Sequence, residues 1–155
     1  MVGEGSGYYL FSETAIENII NYNPKGKFIV IGRRPINVAR SWHRHLVNNG
    51  YESILDFRKA LNKDSNKSAL GYKQIMHWED RVKIIQKIIP EGSLIAHNLD
   101  DTSMEEIYKK SLTFLGLDYD GRTHFPIKNK GENLNFLKYL YQKYRRLLRK
   151  HVLKR

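Results

Sequence analysis

The segment Lys27 to Leu46, KFIVIGRRPINVARSWHRHL, constrains the fold more than any other stretch of the chain. It opens with a short, apolar, β-branched run, Lys27 to Ile31, the pattern of a buried strand in a parallel sheet. Gly32-Arg33-Arg34-Pro35 breaks that run, and Ile36 to Asn49 continues with helical spacing. Proline suits the first turn of such a helix, because its missing N–H would find no partner there in any case.

The remaining elements alternate in the same way. Ser12 to Asn21 reads as a helix capped by Ser12, with Ala15, Ile16, Ile19 and Ile20 on one face. Asn23-Pro24-Lys25-Gly26 is a turn. Ile54 to Leu61 and Gly71 to Ile89 read as helices, the longer one with Ile75, Trp78, Val82, Ile85 and Ile89 facing inward. Ser93 to Ala96 is a second short strand. Thr102 to Leu115 is a further helix, with Thr102-x-x-Glu105 as a capping box and Gly116 as its stop. A polar loop from His124 to Gly131 leads to a long amphipathic helix over about 133–153. Strands alternating with helices predict an α/β fold around a small parallel sheet. A length of 155 residues has room for one domain, 1–155, with one core.

The chemistry concentrates where the first strand ends. Ligands of parallel sheets bind at the carboxyl ends of strands, where Arg33 and Arg34 sit. The helix after them offers free N–H groups and the positive end of its dipole to an anion. Arginine grips phosphate oxygens through two donors at once. Ser41 shares a helix face with Asn37 and His45 and can add a hydroxyl donor. The plainer alternative is a surface arginine pair and an idle helix serine.

These residues resemble the segment of the sulfotransferase superfamily that binds the 3′-phosphate of the sulfate donor. That family shows an apolar strand, Arg-Asn-Pro, then a small residue and a serine on the next helix. Arg33, Pro35, Ala39 and Ser41 take the matching places, and Arg34 replaces the Asn. Trp42 and His45 match the Ser-Trp-x-x-His of the carbohydrate-directed branch. GEGSGYYLFSETAIENI is similar to the family's Glu-Lys-Ser-x-x-Tyr-Leu segment, with Gly5 in the lysine's place. GYKQIMHWEDRVKIIQKIIP, SLIAHNLDDTSMEEIYKKSLTFLGLD and Lys128-Asn129-Lys130-Gly131 resemble later family segments in the family's order. The resemblance implies a three-layer, P-loop-NTPase-like sulfotransferase fold. It also implies 3′-phosphoadenosine 5′-phosphosulfate as donor and a hydroxyl or amine acceptor on a carbohydrate or lipid. Arg33 and Ser41 would hold the 3′-phosphate, Lys130 and Gly131 would close the nucleotide site, and His45 would stand near the sulfate as the candidate catalytic residue. The family's Lys-x-Gly-Thr-Thr-like loop, which cradles the 5′-phosphosulfate, and the catalytic base that follows it have no counterpart here. The chain therefore reads as such a domain without its N-terminal strand–loop–helix, and loop and base would have to come from sequence outside it.

Composition narrows the other possibilities. With no cysteine there are no disulfides, thiolate metal sites or thiol nucleophiles. Of the six histidines, His43 and His45 are two apart on one helix and point to different faces, so no zinc site is expected. His77, His97, His124 and His151 read as structural, as do Tyr8, Tyr9, Tyr72 and Trp78, whereas Trp42 is a candidate for contact with adenine or acceptor. The acidic pairs Glu79-Asp80 and Asp100-Asp101 read as capping or solvated groups. No apolar run or leader-like start stands out, which predicts a soluble, cytoplasmic protein without a transmembrane segment. The net charge of +11 is concentrated at the end, where Glu132 to Arg155 holds eight Lys/Arg against one acid. On the last helix Leu137, Leu140, Tyr141, Tyr144, Leu147 and Leu148 form a stripe expected to pack inward, leaving a basic face outside. That face suits an anionic surface, and the alternative function is a non-catalytic basic module binding polyanions or nucleic acid.

Overall fold

The computed structural model describes residues 2–64, 70–126 and 136–152, and it divides the chain into two compact units. The described residues are mixed α/β, with seven α-helices and one two-stranded parallel sheet. Of the described residues, the first unit holds 2–34 and 77–126, and the second holds 35–64, 70–76 and 136–152.

In the first unit, a 3-10 turn at Tyr9–Phe11 leads into α1, Glu13–Tyr22. Ser12 caps α1 as its sequence position predicts, its hydroxyl accepting from the Ala15 N–H at 3.2 Å. β1 is Phe28–Gly32 and β2 is Leu94–Asn98, paired in parallel from Phe28 opposite Leu94 to Gly32 opposite Asn98. The core of this unit is Ile16 of α1 with Ile85 and Ile89, and Phe28, Leu94, Tyr9 and Leu10 pack around it. Neither strand is fully buried, and Ile31 is 52% exposed, against the expectation of a buried strand.

Helix α5, Trp78–Ile85, packs on β1. Trp78 is buried beneath Gly32, and its indole N–H donates to the Arg33 carbonyl at 2.8 Å. The continuous helix expected over 71–89 is instead two helices, α4 at Tyr72–Met76 and α5, separated at His77. Tyr72 is buried in the second unit and Trp78 in the first, so the break lies where the chain passes between units. Helix α6, Met104–Leu115, packs on β2 and ends at Gly116, whose φ of 74° is the left-handed stop expected there. Its cap is Ser103, accepting from Glu106 N–H at 3.2 Å, and not Thr102 as the Thr-x-x-Glu pattern suggests. Shifting the cap by one residue leaves Glu105 and Glu106 free to pair with Lys109 and Lys110 one turn on.

His97 of β2 bears on acid stability. Its Nε2 is buried without a hydrogen-bond partner among the described residues. Burial lowers the ring's pKa below 6.5, the nearby Lys110 acts in the same direction, and Glu106 opposes both. An unfolded chain therefore takes up this proton more readily than the folded one, so stability falls as pH drops through about 6.5. Thermal melts from about pH 5 to about pH 8 should show this loss. His97→Gln should flatten it, and an unchanged slope would assign the loss to other groups.

The second unit is built on α2, Pro35–Asn48, with α3 at Phe57–Lys63, α4, and α7 at Phe136–Val152. Leu46, Ala60 and Tyr72 form its core, with Trp42, Ile54 and Leu61 packed against them. Helix α7 lies against Gly50, whose φ is +71°. A Cβ on Gly50 would stand 3.2 Å from the Lys143 backbone nitrogen and 3.5 Å from the Gln142 side chain. Tyr139 is buried, while Leu137, Leu140, Tyr141, Tyr144 and Leu148 are exposed. This reverses the expected orientation of the stripe. The side chain of Leu147 lies outside the described residues.

Candidate functional site

The exits of β1 and β2 lie side by side, because Gly32 pairs with Asn98 and the Gly32 carbonyl accepts from the Leu99 N–H at 2.9 Å. Arg33 and Arg34 leave one strand here, and Asp100 and Asp101 follow the other. The Asn98 side chain accepts from the Asp100 N–H at 3.0 Å and shapes that turn. The Asp100 carboxylate faces two donors across the strand ends. Its Oδ2 accepts from the Arg34 backbone N–H at 2.8 Å, and its Oδ1 lies 3.2 Å from Arg33 Nη2. Asp101 Oδ1 accepts from Arg34 Nη2 at 2.7 Å and Nε at 3.1 Å. Asp101 thereby raises the pKa of the Arg34 guanidinium.

The two arginines thus belong to different arrangements. Arg34 is clamped by a carboxylate that meets it through two nitrogens. Arg33 makes one longer ion pair, with its own side chain 45% exposed and that of Asp100 13% exposed. The Trp78 hydrogen bond holds the Arg33 carbonyl, so the backbone that carries this guanidinium is fixed. Together, the Arg33 guanidinium and the Arg34 N–H form a cradle for a negatively charged oxygen, and in this state a carboxylate of the chain itself sits in it. The acidic pair has a role that residue order alone did not disclose, because its partners are some 66 residues away.

In the second unit, Ser41 and His45 are both exposed on α2. The His45 ring stacks on Trp42, with centroids 5.3 Å apart and planes 10° from parallel. The Asn49 amide lies 3.4 Å from His45 Nδ1 and donates to the His45 carbonyl at 2.8 Å. Trp42 is half-buried, and its indole N–H donates to the Leu70 carbonyl at 3.3 Å. One edge of that ring is thus committed to the unit's interior. Lys130 and Gly131, expected to close the nucleotide site, lie outside the described residues.

His43, two residues before His45, has a different part. It is buried, with Nδ1 2.8 Å from the Tyr72 hydroxyl and Nε2 3.1 Å from the Leu55 carbonyl. The Tyr72 hydroxyl donates to Glu52 Oε2 at 3.1 Å, and Glu52 Oε1 accepts from the Ile54 N–H at 2.8 Å. Burial, then the charge of Glu52, pushes the Tyr72 hydroxyl far above the ordinary tyrosine range, so it remains a donor. Tyr72 and Trp78 are core residues as expected, whereas Tyr8 is 49% exposed. Glu52 gives no signal in sequence, since a glutamate after Tyr51 in a loop reads as a solvated residue.

Among the described residues no group of three or more His, Asp or Glu is placed to hold a metal ion. No described helix is long and apolar enough to cross a membrane. Comparison of the chain with protein-family models, curated proteins and solved structures finds no match to any of them.

Proposed function

We propose that this chain is a sulfotransferase-like domain that binds the 3′-phosphate of 3′-phosphoadenosine 5′-phosphosulfate through Arg33. The observation that carries this reading is the cradle at the end of β1, where the Arg33 guanidinium and the Arg34 N–H already hold a carboxylate. A phosphate oxygen makes the same demands as that carboxylate oxygen, and it brings more charge. In the chain, Ser41 follows on the next helix and is the second phosphate ligand the resemblance assigns. His45 is the residue assigned near the sulfate, and Lys130 and Gly131 are those assigned to nucleotide closure.

The bound donor would supply an activated sulfuryl group for in-line transfer to a hydroxyl or amine of a carbohydrate or lipid acceptor. Catalysis of such a transfer is mostly positioning and stabilisation of charge. The part this chain's residues can take is to fix the adenosine end of the donor. Nothing in the sequence corresponds to the loop that would hold the 5′-phosphosulfate.

Calorimetric titration with 3′,5′-bisphosphoadenosine beside 5′-AMP tests this reading. Saturable binding that requires the 3′-phosphate is the expected result. Binding of RNA or heparin that falls steeply with salt and survives Arg33→Ala would favour the polyanion-binding module instead.

A further inference from the structure

Helix α7 turns its apolar stripe away from the unit that carries it. At 3.6 residues per turn, Leu137, Leu140, Tyr141, Tyr144 and Leu148 share one face. Buried Tyr139, and Gln142 against Gly50, fall on the opposite side. Leu137 is 76% exposed and Tyr144 61% exposed. An exposed apolar face of this size on a helix is uncommon unless something covers it.

Charge decides what covers it. The helix from Phe136 to Val152 contains six Lys/Arg and no acid. Two of these cations have described side chains, Arg145 beside the stripe and Lys143 between the stripe and buried Tyr139. Lys143 lies 5.7 Å from the Tyr139 ring and Arg145 5.7 Å from the Tyr141 ring, both exposed. A second copy of the chain would bring the same positive charge against this face, which opposes self-association. A nucleic acid would satisfy the cations but leave the leucines in water. An anionic bilayer offers phosphates and an apolar layer within a few ångströms of each other, in the order this helix needs. The tyrosines suit the boundary between those layers, having an apolar ring and a polar tip. We propose that the outer face of α7 docks on an anionic lipid surface, with Leu137, Leu140, Tyr144 and Leu148 entering the headgroup–acyl boundary and Lys143 and Arg145 resting among the phosphates.

The test is co-sedimentation of the full chain with phosphatidylcholine vesicles, with and without phosphatidylserine. Binding should require phosphatidylserine. It should weaken about 5-fold for each cation removed in Lys143→Gln and Arg145→Gln. The double variant Leu140→Gln/Leu148→Gln should lose about 10-fold or more. Because all four residues are exposed, circular dichroism and melting should change little, which separates lost docking from lost folding. Vesicle binding that ignores the leucine variant would overturn the proposal in favour of a polyanion contact made by charge alone. Failure to bind phosphatidylserine vesicles would also overturn it, as would a dimer that Leu140→Gln/Leu148→Gln dissolves. None of these outcomes depends on the nucleotide site, which the bisphosphoadenosine titration reads separately.

Discussion

Gly32→Ala is expected to destabilise the chain by about 3 kcal/mol, the upper end of what overpacking costs. A Cβ at this position would lie 2.5 Å from Trp78 Cη2 and closer still to Cε2 and Cζ2. The ring cannot easily retreat, because its N–H is bonded to the Arg33 carbonyl and it is buried beneath the strand. Either the indole leaves its place or β1 bends, and both disturb the turn that presents Arg33. Denaturant unfolding followed by tryptophan fluorescence would measure the loss. Replacing Trp78 with leucine in the same chain should recover part of it, since the added methyl then has room. If Gly32→Ala melted like the parent, the contact between ring and strand would not be as close as described.

Tyr72→Phe should be comparably damaging, for the opposite reason. The substitution keeps the ring and its packing against Leu46 and Ala60 but removes the hydroxyl between His43 and Glu52. Two buried polar groups then lose a partner, one of them a carboxylate that is 2% exposed. Leaving a buried group unpaired costs about 1–3 kcal/mol, so a total of about 3 kcal/mol is expected. Tyr141→Phe, on the exposed face of α7, should change stability by less than about 0.5 kcal/mol and serves as the control. A double-mutant cycle with Glu52→Gln should return a coupling of about 1 kcal/mol or more. Additive effects would mean that the three side chains do not act as one network.

The local signals in the sequence translate well into structure. The β-branched run, the proline after Arg34, the Ser12 cap and Gly116 each act through neighbours a few residues away, and each appears within a residue or two of its expected position. What sequence cannot reveal is which surface a periodic face will meet. The α7 stripe is amphipathic as its spacing predicts, yet Tyr139 and Gln142 provide the packing face because Gly50 lets the backbone come close there. The same limit hid the break at His77, where helical periodicity runs on although the two halves bury their aromatic residues in different units.

The candidate site divides along the same line. Arg33 is legible because a strand end followed by arginine and a helix is a local pattern. Its restraint by Asp100 is not legible, since it joins residues from two strands far apart in sequence. Helical spacing puts His43 and His45 on different faces, but only the structure shows His43 in a buried network with Tyr72 and His45 as an exposed ring stacked on Trp42.

At Arg33 a phosphate would compete with the Asp100 carboxylate for the same donors. Titration of 3′,5′-bisphosphoadenosine into the parent, Arg33→Ala and Asp100→Asn chains compares the same cradle with a donor removed and with its resident carboxylate neutralised. One-to-one binding is expected, weakening about 10-fold in Arg33→Ala, since a charge-assisted hydrogen bond contributes about 1.5–3 kcal/mol. Asp100→Asn should bind about 5-fold tighter, a smaller change because the ion pair it removes is partly exposed and screened. Equal affinity for 5′-AMP, or a folded Arg33→Ala chain that binds as well as the parent, would rule out a 3′-phosphate site at Arg33.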